Sequence, residues 1–268
     1  MKRRLQNVGL PQLKRLKETS EVTGMSLRKF HAPALLFSLT LLFAPCVRAQ
    51  DARAQAAAEI ESLREQIKAK EAVLLAPSDE DRKAYAEFLA QPRTGLIRLL
   101  PRERWTGKLS TRGDGAYYSF ARRSQEYGYG SDLSLEQESL SVGFAGADFG
   151  FMVNLGNVPL ETVTADSEAV RFMASYETPL PEPEARKAYR QFGAEGHQAG
   201  QWTYKSRLPV FVNNTYALRS VNYDHSDVLV AFRVVRKDFD GSAVILWKLL
   251  TKYQKPELQR NVAVAAGQ

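Results

Sequence analysis

The stretch Thr215 to Tyr253, TYALRSVNYDHSDVLVAFRVVRKDFDGSAVILWKLLTKY, decides the fold class. It reads as three strands, Thr215–Tyr223, Asp227–Arg236 and Ser242–Tyr253. Asp224-His225-Ser226 and Asp238-Phe239-Asp240-Gly241 join them, and both joins are rich in side chains that hydrogen-bond their own backbone. Val228 to Val235 is apolar on both faces apart from Arg233. That is the pattern of a central strand covered on two sides.

Upstream, a second region has the same period of two. Leu133 and Leu135 alternate, then Leu140, Val142 and Phe144, then Phe149, Phe151, Val153 and Leu155. With turns at Gln137-Glu138 and over 145–148, this predicts a three-stranded antiparallel meander. Lys108–Thr111 and Ala116–Arg122 read as a strand pair around Gly113-Asp114-Gly115. Val170, Phe172, Ala174 and Tyr176 read as one more strand, and residues 193–200 as a flexible loop. Between the β regions, Pro181–Phe192 has acids near its start, bases near its end and Gly193 as terminator, so it predicts a short helix.

Helices precede the strands. In Asp51–Leu75, Ala56, Ile60, Leu63, Ile67 and Leu74 fall at alternating four- and three-residue steps, with Lys70 in the remaining seam position. Packing of this seam on its own domain, or a semi-detached stalk, is the favoured reading, and oligomerisation through residues 56–74 is the alternative. Ser78 followed by Asp81 is a capping box with aspartate in place of glutamate, and Pro92 closes the segment. The expected fold is α+β and predominantly antiparallel β, a sandwich or open barrel with N-terminal helices packed outside. Residues 50–92 form a helical leader, 93–256 the β-rich domain and 257–268 a flexible tail.

Residues 1–49 stand apart. Arg28 and Lys29 precede an apolar run from Ala32 to Pro45, and Val47-Arg48-Ala49 offers small residues where a signal peptidase reads. The run of about fourteen residues is short of the roughly twenty that span a bilayer, so cleavage after Ala49 and no stable membrane span are expected. Met1–Gly24 would make an unusually long n-region, and a start at Met25 would give an ordinary one. The segment holds nine of the 37 Lys and Arg, two of the 30 Asp and Glu, and the only cysteine, Cys46. What remains balances at 28 bases and 28 acids. The formal charge of +7 therefore belongs to the leader, which removes the argument for a nucleic-acid partner. An exported, thiol-free protein of the periplasm or exterior is expected, a bacterial envelope above all.

Chemistry is sparse. Gly-x-Ser-x-Gly, His-Glu-x-x-His and Walker patterns are missing, and no cofactor or metal is expected. His225 between Asp224 and Asp227 reads as a turn, Asp238–Gly241 as a hairpin rather than a calcium loop, and Arg112-Gly113-Asp114 as a tight turn. His197 is a weak general-base candidate in a loop. The best candidate site is Tyr117, Tyr118, Tyr127, Gly128, Tyr129 and Gly130 among charged residues. Tyr127 and Tyr129 would present aromatic faces to a ligand or partner, and Arg122 and Arg123 would bind an anionic group. In an enzyme, Glu126 and Asp132 would be the carboxylate pair of glycoside hydrolysis. The leading expectation is a non-catalytic exported protein binding a protein or small molecule, a glycan among the options. A carboxylate-dependent glycan hydrolase and a helix-mediated assembly protein are the alternatives.

Overall fold

The structure is a computed structural model that describes residues 44–144 and 146–260. The signal peptide expected from the sequence falls largely on residues 1–43, outside the described residues. The chain divides after Ala57. In the first unit the described residues, 44–57, are helical. The helices in chain order are α1 (Ala44–Leu75), α2 (Asp79–Ala84), α3 (Ala86–Leu89), α4 (Arg102–Trp105), α5 (Glu168–Ser175) and α6 (Glu182–Ala194). The strands begin with β1 (Thr94–Leu99), β2 (Tyr117–Tyr118), β3 (Leu133–Glu136), β4 (Ser139–Ser141) and β5 (Phe149–Gly156). They continue with β6 (His197–Ala199), β7 (Trp202–Tyr204), β8 (Arg207–Pro209), β9 (Thr215–Asn222), β10 (Ser226–Lys237) and β11 (Ala243–Lys252). Among the described residues no helix is long and apolar enough to cross a membrane.

A five-stranded antiparallel sheet, β1-β11-β10-β9-β5, organises the second unit. Strand β10 lies at its centre, and the reason is visible in its side chains. Val228, Val230, Phe232 and Val234 point to one face and Leu229 and Ala231 to the other, all fully buried. A smaller sheet, β2-β3-β4-β8, covers the first face and contributes Tyr118, Leu133, Leu135 and Leu140. Helices α5 and α6 cover the second with Val170, Met173, Ala185, Ala188 and Phe192. The result is a three-layer stack of helices, large sheet and small sheet, with open edges and no closed barrel. It agrees with the expected α+β, mostly antiparallel fold.

The buried charges sit where backbone alone would leave polar groups unpaired. Arg219 on β9 and Asp227 on β10 face the helical layer as a bidentate ion pair at 2.6 and 2.8 Å. Arg219 also donates to the Met173 carbonyl at 3.0 Å, and the Tyr253 ring lies 3.4 Å from its guanidinium carbon. The capping box at Ser78 and Asp81 forms as expected. Asp81 does a second job: it pairs with Arg236 of β10 and ties α2 to the sheet.

Five local expectations are corrected. Strand β5 does not pair with β4; it crosses to the large sheet beside β9. Phe149, Phe151 and Val153 face the helices while Met152 faces the small sheet, so β5 needs cover on both sides. Lys108–Thr111 is not a strand. Asp114 accepts the N–H groups of Gly107, Lys108 and Leu109, and Glu71 accepts those of Ser110 and Thr111, which folds the segment into a turn. Residues 168–175 form α5 instead of a strand, because Ala169, Val170 and Met173 share a helical face. Residues 197–204 form the β6–β7 hairpin, and α6 runs through Gly193 to Ala194. The described part of the tail expected to be flexible is hydrogen-bonded: Gln259 donates to the Leu180 carbonyl at 2.9 Å and accepts from Glu182 N–H at 3.1 Å.

Helix α1 docks through its last turn. Glu71 is buried and accepts four hydrogen bonds from Ser110 and Thr111, Leu75 is buried, and Arg98 donates to the Leu74 carbonyl at 2.6 Å. The earlier seam is not buried against the domain and fits the semi-detached stalk of the favoured reading. Ile60, Leu63 and Ile67 are 50%, 56% and 50% exposed.

Candidate functional site

Three turns and the C-terminal segment meet at one end of the two sheets. The first is the Tyr127–Ser131 loop before β3. Tyr127 N–H donates to the Arg112 carbonyl at 2.7 Å, Ser131 N–H to the Gly128 carbonyl at 3.1 Å, and Gly128 N–H to Ser131 Oγ at 3.1 Å. Gly130 sits at φ +86°, a conformation in which a side chain would be strained. The second is the β9–β10 turn, where Asp224 takes φ +63° and donates its N–H to the Pro256 carbonyl. The third leads into β5, where Asp148 Oδ1 accepts the Tyr223 N–H at 2.9 Å. The C-terminal segment closes the side through Arg260 and Asp224, 3.2 Å apart.

The turns meet at an aromatic stack. The exposed Tyr129 ring lies 5.3 Å from His225 at an interplanar angle of 16°. Two cavities, of about 160 and 230 Å³, flank this stack and share Tyr129 and Asp148. Arg112, Tyr127, Phe144 and Asn222 line the smaller one. Arg186, Arg260 and His225 line the larger.

Two carboxyl groups here are out of their ordinary range. Asp132 is fully buried, and no cation pairs with it among the described residues. Removal from water pushes it up to about 6, against the opposing pull of neutral donors. Those donors include Phe120 N–H at 2.7 Å, Asn222 Nδ2 at 2.8 Å and Ser119 Oγ at 3.4 Å. Asp148 is also raised to about 6 by burial, which outweighs the Tyr223 N–H and the neighbouring His225. Asn222 connects them, since its amide donates to Asp132 while the residue also lines the cavity beside Asp148.

The residues expected at the site divide. Tyr127 and Tyr129 line the cleft, with Tyr127 held between the Tyr117 ring at 4.4 Å and the Arg112 guanidinium at 5.5 Å. Arg122 lies along the loop, its Nη2 3.7 Å from where a Gly128 Cβ would stand. Arg123 lies over the Trp247 ring at 5.7 Å and lines neither cavity. Glu126 is exposed and lines neither cavity, while Asp132 lies beneath the floor, so this pair does not share the cleft. Tyr117 and Tyr118 are core residues.

Sequence reasoning missed Asp148, Asn222, Arg112 and Phe144. Asp148 looked like one more turn residue, and only its place beside the β9–β10 turn marks it out. His197 stacks on Phe172 at 4.8 Å and its Nδ1 is 3.1 Å from Gln191 Nε2, away from the cleft residues. Asp238 and Asp240 bind Arg98 at 3.0 and 2.7 Å. Among the described residues no group of three or more His, Cys, Asp or Glu could hold a metal ion. No known protein family matches this chain, and neither do any curated protein or solved structure.

Proposed function

We propose that the protein is an exported, non-catalytic binding protein whose β-rich domain holds a small sugar-like ligand in the cleft around Tyr129. The observation that carries this reading is the exposed, stacked Tyr129 ring with a cavity on each side. An aromatic face backed by a second ring receives the C–H face of a pyranose. Asp148, Asn222 and Arg112 offer acceptors and donors for hydroxyl groups within the same enclosure. Cations and carboxylates are mixed around the cleft, which favours a neutral polyol over a polyanion. Binding is favoured over hydrolysis because Asp132 lies under the floor with its oxygens occupied and Glu126 lies outside. The leader sequence and the balanced charge of the remainder support an envelope or extracellular location.

Titration of the purified chain with a panel of mono- and disaccharides, read by calorimetry and amide chemical shifts, tests the reading. Saturable binding is expected from part of the panel, with shifts at Gly128–Ser131 and Asn222–Ser226. Tyr129→Ala should weaken it about tenfold or more. Tyr129 is 68% exposed, so its loss leaves stability unchanged within about 0.5 kcal/mol. Absence of binding across the panel, or binding indifferent to Tyr129→Ala, overturns the reading. Mass spectrometry of the exported protein should find an N-terminus at Gln50.

A further inference from the structure

We infer that the half-exposed seam of α1 is the docking surface for a second copy of this chain, pairing as a parallel two-stranded coiled coil. This stands independently of the cleft. Ile60, Leu63 and Ile67 form one continuous apolar stripe, and each is exposed over half its surface or more. Singly exposed apolar residues need no explanation, but an aligned row on a rigid helix does. The helix is rigid here because its next turn is fixed by the four hydrogen bonds to Glu71.

Spacing identifies the occupant as another helix. Ala56, Ile60, Leu63, Ile67, Lys70 and Leu74 fall at alternating four- and three-residue steps, the a/d spacing of a heptad. A heptad seam stays in contact with a supercoiled partner helix. The residue types identify the partner. Setting Ile60 as position a puts β-branched Ile60 and Ile67 at a and Leu63 at d, the combination that favours parallel pairs. The flanks agree. Glu59 falls at g, and Arg64, which pairs with Glu61 of its own helix at 3.4 Å, falls at the following e, so a parallel in-register copy places Glu59 beside Arg64 of its mate on both sides.

Lys70, at the next d position, confines the pairing to the turns before it and makes it reversible. Leu63, Ile67 and Leu74 line a groove of about 420 Å³ with Lys108 and Leu109 of the same domain, so the domain borders one side of the seam. The seam from Ala56 onward also lies after the expected cleavage at Ala49, so processing leaves it intact.

Sedimentation equilibrium of the full chain tests the pairing, with disulfide trapping to fix its direction. A concentration-dependent monomer–dimer equilibrium is expected, and Leu63→Glu with Ile67→Glu should raise the dissociation constant by roughly a hundredfold. Glu59→Lys should weaken pairing, and Glu59→Lys with Arg64→Glu should restore it. In a Cys46→Ser background, Leu63→Cys should form a covalent dimer under mild oxidation, while Glu65→Cys on the outer face should not. Circular dichroism confirms that each variant is folded. A chain that stays monomeric at every accessible concentration overturns the inference. So does a dimer indifferent to Leu63→Glu/Ile67→Glu, or one in which Leu63→Cys fails to cross-link.

Discussion

Asp132→Asn should change how stability depends on pH, in a direction the burial of Asp132 dictates. The native carboxyl is enclosed without a cation and keeps its proton up to about pH 6. The same group in the unfolded chain releases its proton near 3.9. Between those values the native state binds more protons than the unfolded state, so stability falls as pH rises, by about 1.4 kcal/mol per unit. Over the window the loss is roughly 3 kcal/mol, complete above about pH 7 and absent below about pH 4. Asparagine carries no such charge. Its own cost, an amide set against the Asn222 amide, is the same at every pH. Asp148 titrates in the same direction but is present in both proteins and cancels. Urea unfolding of both proteins at intervals between pH 4 and pH 7.5, followed by circular dichroism, should therefore show the variant gaining on the wild type by roughly 3 kcal/mol as pH rises. Parallel curves would refute the reasoning, because they would mean that Asp132 ionises at the same pH folded and unfolded. A wild type that gains with rising pH would reverse its sign.

Two further outcomes follow from the large sheet. Arg219→Met leaves Asp227 buried and unpaired and should cost about 3–5 kcal/mol, whereas Arg219→Met with Asp227→Leu should recover most of it. A double variant no more stable than the single one would place the loss in packing instead. Gly150→Ala would set a Cβ 2.6 Å from the Arg219 carbonyl oxygen and 2.3 Å from Val142 Cγ2, so denaturant unfolding should show a loss of about 1–3 kcal/mol. A loss below about 0.5 kcal/mol would mean that the two sheets separate easily at that point.

Patterns confined to one segment were legible in the sequence. The three strands after Thr215 could be read because β10 is apolar on both faces and the turns around it are chemically distinct. The Ser78–Asp81 cap could be read because both partners lie within one helical turn. Residues 168–175 misled because Val170, Phe172, Ala174 and Tyr176 satisfy a period of two while Ala169, Val170 and Met173 satisfy a helix. In so short a window the two periods overlap. At the site, the Tyr127–Tyr129 loop was legible as an aromatic, glycine-rich loop, but the role of Glu126 was not. Glu126 and Asp132 are six positions apart, yet one is exposed and the other fully buried.

The sequence by itself determined the class of fold, the hairpin order after Thr215 and the seam spacing on α1, because each depends on periodicity and local hydrogen bonding. Only the tertiary structure decided which sheet β5 joins, that Asp148 and Asn222 meet the tyrosine loop, and that the seam is left half uncovered. Those outcomes depend on contacts between residues far apart in the chain. Tyr223 and Asp148 are 75 positions apart, and Asp132 and Asn222 are 90. A linear pattern states which side of an element is apolar. It does not state what lies on that side, because the partner is set by how all the layers pack together at once.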